Sequence, residues 1–143
     1  MLAYSSERWK KNGLFSGVAE TLDFLIAQGD ELVLLTKGDP RVQEKKIEAT
    51  NVKKWFKDNM FIVPSKNKEV LLEYAKNTPL EQVYHVGNSI RSDVKPALES
   101  GMKIIYIPLE TWAYEKDHNG VSQDANLITL PTFKDIIKIY EFL

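Results

Sequence analysis

Four polar residues in this 143-residue chain stand where parallel-sheet proteins do chemistry. Thr36 closes the apolar run Leu32-Val33-Leu34-Leu35. Lys66 follows the run Met60-Phe61-Ile62-Val63 and its stop at Pro64. Asn88 and Asp93 follow Val83-Tyr84-His85-Val86 and the turn residue Gly87. A hydroxyl, an ammonium, a carboxamide and a carboxylate at three successive strand ends are the groups that a phosphoryl centre uses. Thr36 and the backbone N–H groups of Lys37 and Gly38 suit phosphate oxygens. Lys66 suits both the binding of phosphate and the charge that develops during its transfer, which makes it the candidate catalytic residue. Asn88 and Asp93 supply hard oxygens of the kind that magnesium takes.

Each residue also has a structural use. A threonine at a strand end caps the next turn, a lysine after proline is solvated, Asn88 forms an Asx-turn, and Asp93 favours a helix N-terminus. The functional reading draws its weight from the three strand ends falling in order.

The elements that must position these residues follow from periodicity. Val18, Leu22, Leu25 and Ile26 fall at helical spacing over residues 18–28, and Gly29 suits the residue just past a helix end. Residues 32–36, 60–63, 83–86 and 103–108 are short apolar runs of strand length. Asp39 and Pro40 open a polar helix over 40–50, with Val42, Ile47 and Ala49 as its few apolar members. Asn51 interrupts it before a short piece over 52–56, where Trp55 and Phe56 are packing anchors. Helices are expected over 66–77, 92–100 and 131–143, a short strand over 126–130, and a polar loop over 109–124. Thr132 and Asp135 have capping-box spacing. In the N-terminal segment, Ser5 or Ser6 suits the cap of a short helix through Trp9. Alternating strands and helices predict one α/β domain over 1–143 with a parallel sheet.

Composition narrows the function classes. Nineteen basic and twenty acidic residues balance to −1, and no basic stretch marks a nucleic-acid surface. Cysteine is absent, which removes disulfides and thiolate metal sites. No apolar run of about 18 residues predicts a membrane span. The expectation is a soluble cytoplasmic protein.

Together these stretches resemble the haloacid dehalogenase superfamily over residues 15–112. Leu32-Val33-Leu34-Leu35-Thr36-Lys37-Gly38-Asp39 is similar to that family's second motif. Lys66 in Val63-Pro64-Ser65-Lys66 is similar to its third-motif lysine, with Lys68 the weaker alternative. Val86-Gly87-Asn88-Ser89-Ile90-Arg91-Ser92-Asp93-Val94 is similar to its fourth, in the branch with Gly-Asn-Ser and a later Asp. The resemblance implies a Rossmann-like three-layer core and magnesium-dependent hydrolysis of a phosphorylated small molecule.

The family's nucleophile is an aspartate in a first motif on the first strand, and this sequence has no such motif. Asp23 falls inside a helical pattern and Asp30 in a turn, so neither takes that role. The resemblance therefore implies a core with its first-motif strand missing, magnesium held weakly if at all, and a weak or inactive hydrolase. The nucleophile would come from chain before Met1 or from a complementing N-terminal fragment. Residues 1–12 carry many charges and few β-formers and are expected to fill the slot poorly, so the sheet closes up or self-associates. Residues 1–17 read as a remnant of a cap or linker. The alternative is a non-catalytic binding or interaction module working through its exposed edges and the 109–124 loop, with Trp112 and Tyr114. A receiver domain would need acids near the first strand and a phosphorylatable Asp on a later one, and these are absent.

Overall fold

The structure is a computed structural model and describes residues 2–4, 17–75, 77–108 and 124–143. Its centre is one six-stranded sheet, all parallel. The strands in chain order are β1 (Leu2–Tyr4), β2 (Leu32–Lys37), β3 (Met60–Val63), β4 (Tyr84–Gly87), β5 (Lys103–Tyr106) and β6 (Leu127–Thr129). Their order across the sheet is β3-β2-β1-β4-β5-β6. The helices are α1 (Val18–Ala27), α2 (Pro40–Thr50), α3 (Lys53–Phe56), α4 (Lys68–Ala75), α5 (Lys95–Ser100) and α6 (Asp135–Ile139). Among the described residues, no helix is long and apolar enough to cross a membrane.

Successive residues of a strand face opposite sides, so each buried strand feeds two cores. Leu32, Leu34, Val86 and Ile105 pack with Leu22 and Leu25 of α1, Trp55 and Phe56 of α3, and Ile136 of α6. Leu35, Val63, Val83, Ile104 and Tyr106 pack on the other face with Leu71 and Ala75 of α4 and Ala97 of α5. Each valine, leucine, isoleucine or phenylalanine side chain among them taken from water contributes roughly 1.5–3 kcal/mol. The three-layer arrangement is the expected one.

Local signals explain the helix boundaries. Asp39 caps α2 by accepting from the N–H groups of Arg41 and Val42 at 2.8 and 3.4 Å. Asn51 at φ 53° ends the helix in the left-handed region. Asp135 accepts from both the backbone N–H and the hydroxyl of Thr132, at 3.0 and 2.8 Å. The two acids excluded as nucleophiles have packing partners. Asp23 accepts from the Trp55 indole at 2.7 Å, and Asp30 accepts from the Tyr140 hydroxyl at 2.7 Å. Burial and the Asp30 carboxylate push the Tyr140 phenol up to about 12.

One expectation is corrected, that of the missing strand. Leu2–Tyr4 pairs in parallel with β2 on one side and β4 on the other, with Ala3 opposite both Val33 and His85. The slot is therefore filled by the chain's own N-terminal residues, and the sheet neither closes up nor leaves two buried edges there for another chain. Backbone pairing explains this. An open slot between two buried strands leaves N–H and C=O groups unsatisfied, which outweighs the weak β-propensity of the segment. In the polar helix α2 the buried residue is Gln43, while Val42 is 50% exposed. The expectations for residues 5–16, including a helix capped by Ser5 or Ser6 and a cap remnant, lie outside the described residues. So does nearly all of the 109–124 loop, with Trp112 and Tyr114.

A central strand tolerates proline poorly, because proline removes a ladder donor. Ala3→Pro should lower unfolding stability by about 1–3 kcal/mol, the cost of an unmet buried backbone group. Urea denaturation checks this, and a midpoint equal to that of the unsubstituted chain would show that β1 does not hold the slot.

Candidate functional site

In this sheet the chain builds outward from β1 to β2 and β3, then returns to place β4 on the other side of β1. The carboxyl end of β1 is thus the switch point where open α/β sheets form their binding crevice. Three segments reach that rim from its two sides: the end of β2 with Thr36, the segment after β3 with Lys66, and the turn after β4 with Asn88 and Asp93.

The turn after β4 is built around Asp93. Gly87 ends the strand, and residues Ile90–Val94 form a single π-helical turn ahead of α5. The Ser89 carbonyl accepts from the N–H groups of both Asp93 and Val94, at 2.9 and 3.1 Å. The wide turn brings the Asp93 side chain back beneath the start of the loop. Its Oδ2 accepts from the backbone N–H groups of Asn88 and Ser89, each at 3.2 Å. Its Oδ1 accepts from Lys66 Nζ at 3.1 Å and meets His85 Nε2 at 2.8 Å. A Cβ at position 87 would lie 2.2 Å from the Asp93 Cγ, so only glycine leaves room for the carboxylate.

The charge state follows from these contacts. Burial pushes the Asp93 carboxyl up, but the His85 hydrogen bond and charge, with Lys66, outweigh it and hold the group at about 2. Asp93 is therefore a carboxylate at neutral pH and only accepts, so His85 Nε2 carries a proton and donates. The side chains of Lys66 and Asp93 are both fully buried.

Thr36 is also buried, and its hydroxyl donates to Gln43 Oε1 of α2 at 3.0 Å. Gly38, at φ 146°, makes room for that carboxamide: a Cβ there would sit 2.7 Å from Gln43 Nε2. Lys37 and Gly38 are exposed at the rim. The N–H of Gly38, expected to face phosphate, instead donates to the Val63 carbonyl at 3.3 Å. The strand ends thus bring Lys66 and Asp93 into contact, while Thr36 is held separately by Gln43.

Magnesium does not fit these residues as packed. Four donors fill the lone-pair directions of Asp93. Asn88 Oδ1 is a buried acceptor without a partner, but it is one neutral oxygen. Among the described residues no group of three or more His, Asp or Glu is placed to hold a metal. Before Asp23 the sequence has only Glu7 and Glu20 as acids. A hard dication needs about six oxygens, with carboxylates among them. In this packing Asp93 is the buried counter-ion of Lys66.

Sequence reasoning missed His85 and Gln43. His85 was counted within an apolar strand, although a lone imidazole in such a run is itself a signal that wants a buried partner. Gln43 lies in a helix whose apolar face is too sparse to bury it by hydrophobicity alone.

Two predictions follow from the carboxylate. Lys66→Met should cost about 3 kcal/mol in urea denaturation, the low end for breaking a buried pair, because Asp93 keeps three other donors. Since the folded-state carboxyl lies at about 2, below its ordinary value of 3.8, its stabilisation is present above that value and is lost as pH falls towards 2. Asp93→Asn should flatten the stability–pH curve in that window while lowering stability at neutral pH. A curve of unchanged slope would show that Asp93 is not held as a buried anion.

No protein-family model matches the sequence, and no curated protein matches it either. Solved structures do. A haloacid dehalogenase-like family hydrolase from Xanthomonas campestris is similar at a TM-score of 0.77 and 29% identity, over 90% of this chain and 54% of its own length. An uncharacterized protein from Listeria monocytogenes serotype 4b is similar at a TM-score of 0.72 and 14% identity, over 99% of this chain and 96% of its own. A HAD phosphatase from Thermococcus onnurineus is similar at a TM-score of 0.63 and 20% identity, over 89% of this chain and 58% of its own. The chain thus spans little more than half of the length of these two hydrolases. The last two likenesses carry the fold alone. With the first, they show that this chain has a haloacid dehalogenase-like fold.

Proposed function

We propose that this chain is a phosphate-recognising core of the hydrolase type, and that it binds phosphate monoesters more readily than it turns them over. The observation that carries this reading is the buried Lys66–Asp93 pair at the switch-point rim, with Thr36 at the end of β2. An ammonium held beside the crevice in a low-dielectric setting favours an anion there. The buried, partnerless Asn88 Oδ1 is the kind of acceptor that a ligand hydroxyl or a water satisfies. The phosphorylated ligand expected from the sequence fits this set of groups.

The weakness of turnover is inferred from the groups that these residues carry. Covalent phosphoryl transfer needs a nucleophile. No aspartate precedes Asp23, and Asp23 is engaged by Trp55. A first-motif strand from upstream chain or a partner would need the slot that Leu2–Tyr4 holds. The same observations favour the second reading, a non-catalytic binding module on this fold.

One pair of measurements tests both readings. Calorimetric titration with inorganic phosphate should give binding that Lys66→Met weakens at least tenfold. Hydrolysis of p-nitrophenyl phosphate, with and without magnesium, should stay near background. Turnover at ordinary enzyme rates, about 1 per second or more, would overturn the claim of weakness and direct the search for a nucleophile to residues 5–16. No phosphate binding at all would overturn the phosphate-site reading.

A further inference from the structure

We propose that His85 is a positioning residue of the phosphate site, fixing Asp93 so that Asp93 in turn holds the Lys66 ammonium and the Asn88–Ser89 turn. This rests on the proposed function above.

The argument begins with the division of labour on the carboxylate. Oδ2 holds the turn through two backbone N–H groups, and Oδ1 holds Lys66. Oδ1 is also the atom that His85 meets, at the shortest of the four contacts. The other holders are compliant: Lys66 lies between β3 and α4 on a flexible four-carbon stem, and Asn88 and Ser89 belong to the turn being held. His85 alone stands on a strand paired on both sides, with Ala3 in β1 and Ile104 in β5. It is the fixed point from which the carboxylate's orientation is set.

Water cannot replace it. His85 is 1% exposed and borders a void of about 10 Å³ lined by Leu35, Leu71, Val83 and Met102. That is at or below the space one water needs. Placing an imidazole in such an apolar setting is costly unless it is hydrogen-bonded. Its partner among the described residues is Asp93. An apolar residue would pack this position more simply, so the side chain's contribution lies at the rim, where the carboxylate it orients does its holding.

The test compares His85→Leu, which removes the donor, with His85→Gln, whose carboxamide nitrogen has similar reach. Should the leucine variant fail to fold, His85→Asn, polar but too short to reach Asp93, takes its place. Two readouts are made on folded protein: affinity for inorganic phosphate, and amide hydrogen exchange at Asn88 and Ser89 referenced to the β5 amides. The donor-less variant should lose about tenfold in phosphate affinity. It should also exchange at Asn88 and Ser89 at least tenfold faster relative to β5. His85→Gln should return both to within about threefold. A merely structural role would lower the urea midpoint without moving either readout, and that result would overturn the proposal. If the unsubstituted chain binds no phosphate, the phosphate-site reading falls. Exchange then decides alone: protection lost in the donor-less variant and restored by glutamine supports positioning, and unchanged protection refutes it.

Discussion

A carboxylate removed from water is tolerated only when its charge and lone pairs are met, and Asp93 meets that condition with four donors from three parts of the chain. Much of the carboxyl rim is arranged to satisfy it. The glycine at position 87 is there because any Cβ would strike the carboxylate. The π-helical turn, a form often found at working sites, is wide enough to return the side chain beneath its own loop. The lysine after β3 is buried because its counter-charge is buried. Removing one member leaves the others with unmet charge or unmet hydrogen bonds, so the rim behaves as a unit.

The same constraint fixes where the carboxylate's lone pairs go. A carboxylate serving a hard cation must turn oxygen lone pairs towards it. Here those lone pairs are spent on nitrogen donors, and the neighbouring position that would supply more charge is a neutral asparagine. The anion recognition proposed above needs no such exposure of the acid. It needs a cation held in place, which is what Asp93 provides for Lys66.

How much of this was legible in the sequence depends on how local each determinant is. The strands around Thr36, Val63, Val86 and Ile105 were legible because a strand covered on both faces must be an unbroken apolar run. The strand-end residues Thr36, Lys66 and Asp93 were legible because parallel strands place their ends on one rim. The helix expected over 92–100 was found with its first turn widened, a detail decided by where Asp93 must return. Strand β1 was not legible. Three residues, Leu-Ala-Tyr, have no periodicity to read, and they form a strand because the sheet offers a two-sided slot. Gln43 and His85 escaped for the opposite reason: each looks ordinary beside its neighbours, and only the buried group it faces explains it.

The shortness of β1 has a consequence for how the molecule comes together. Strands β2 and β3 form one half of the sheet and β4, β5 and β6 the other, and among the described residues only the three of β1 join them by backbone pairing. The seam closes between residues about eighty apart in sequence, Leu2 and Tyr84. Bringing such distant segments together is entropically slow. Each half can assemble from near neighbours first. The contact between Lys66 and Asp93 crosses the same seam at the rim, joining a segment that leaves the first half to one that leaves the second. The halves are thus fastened by a narrow ribbon of backbone through the middle, by the apolar cores on either face, and by a buried ion pair at the top. The candidate site is also the upper fastening of the sheet.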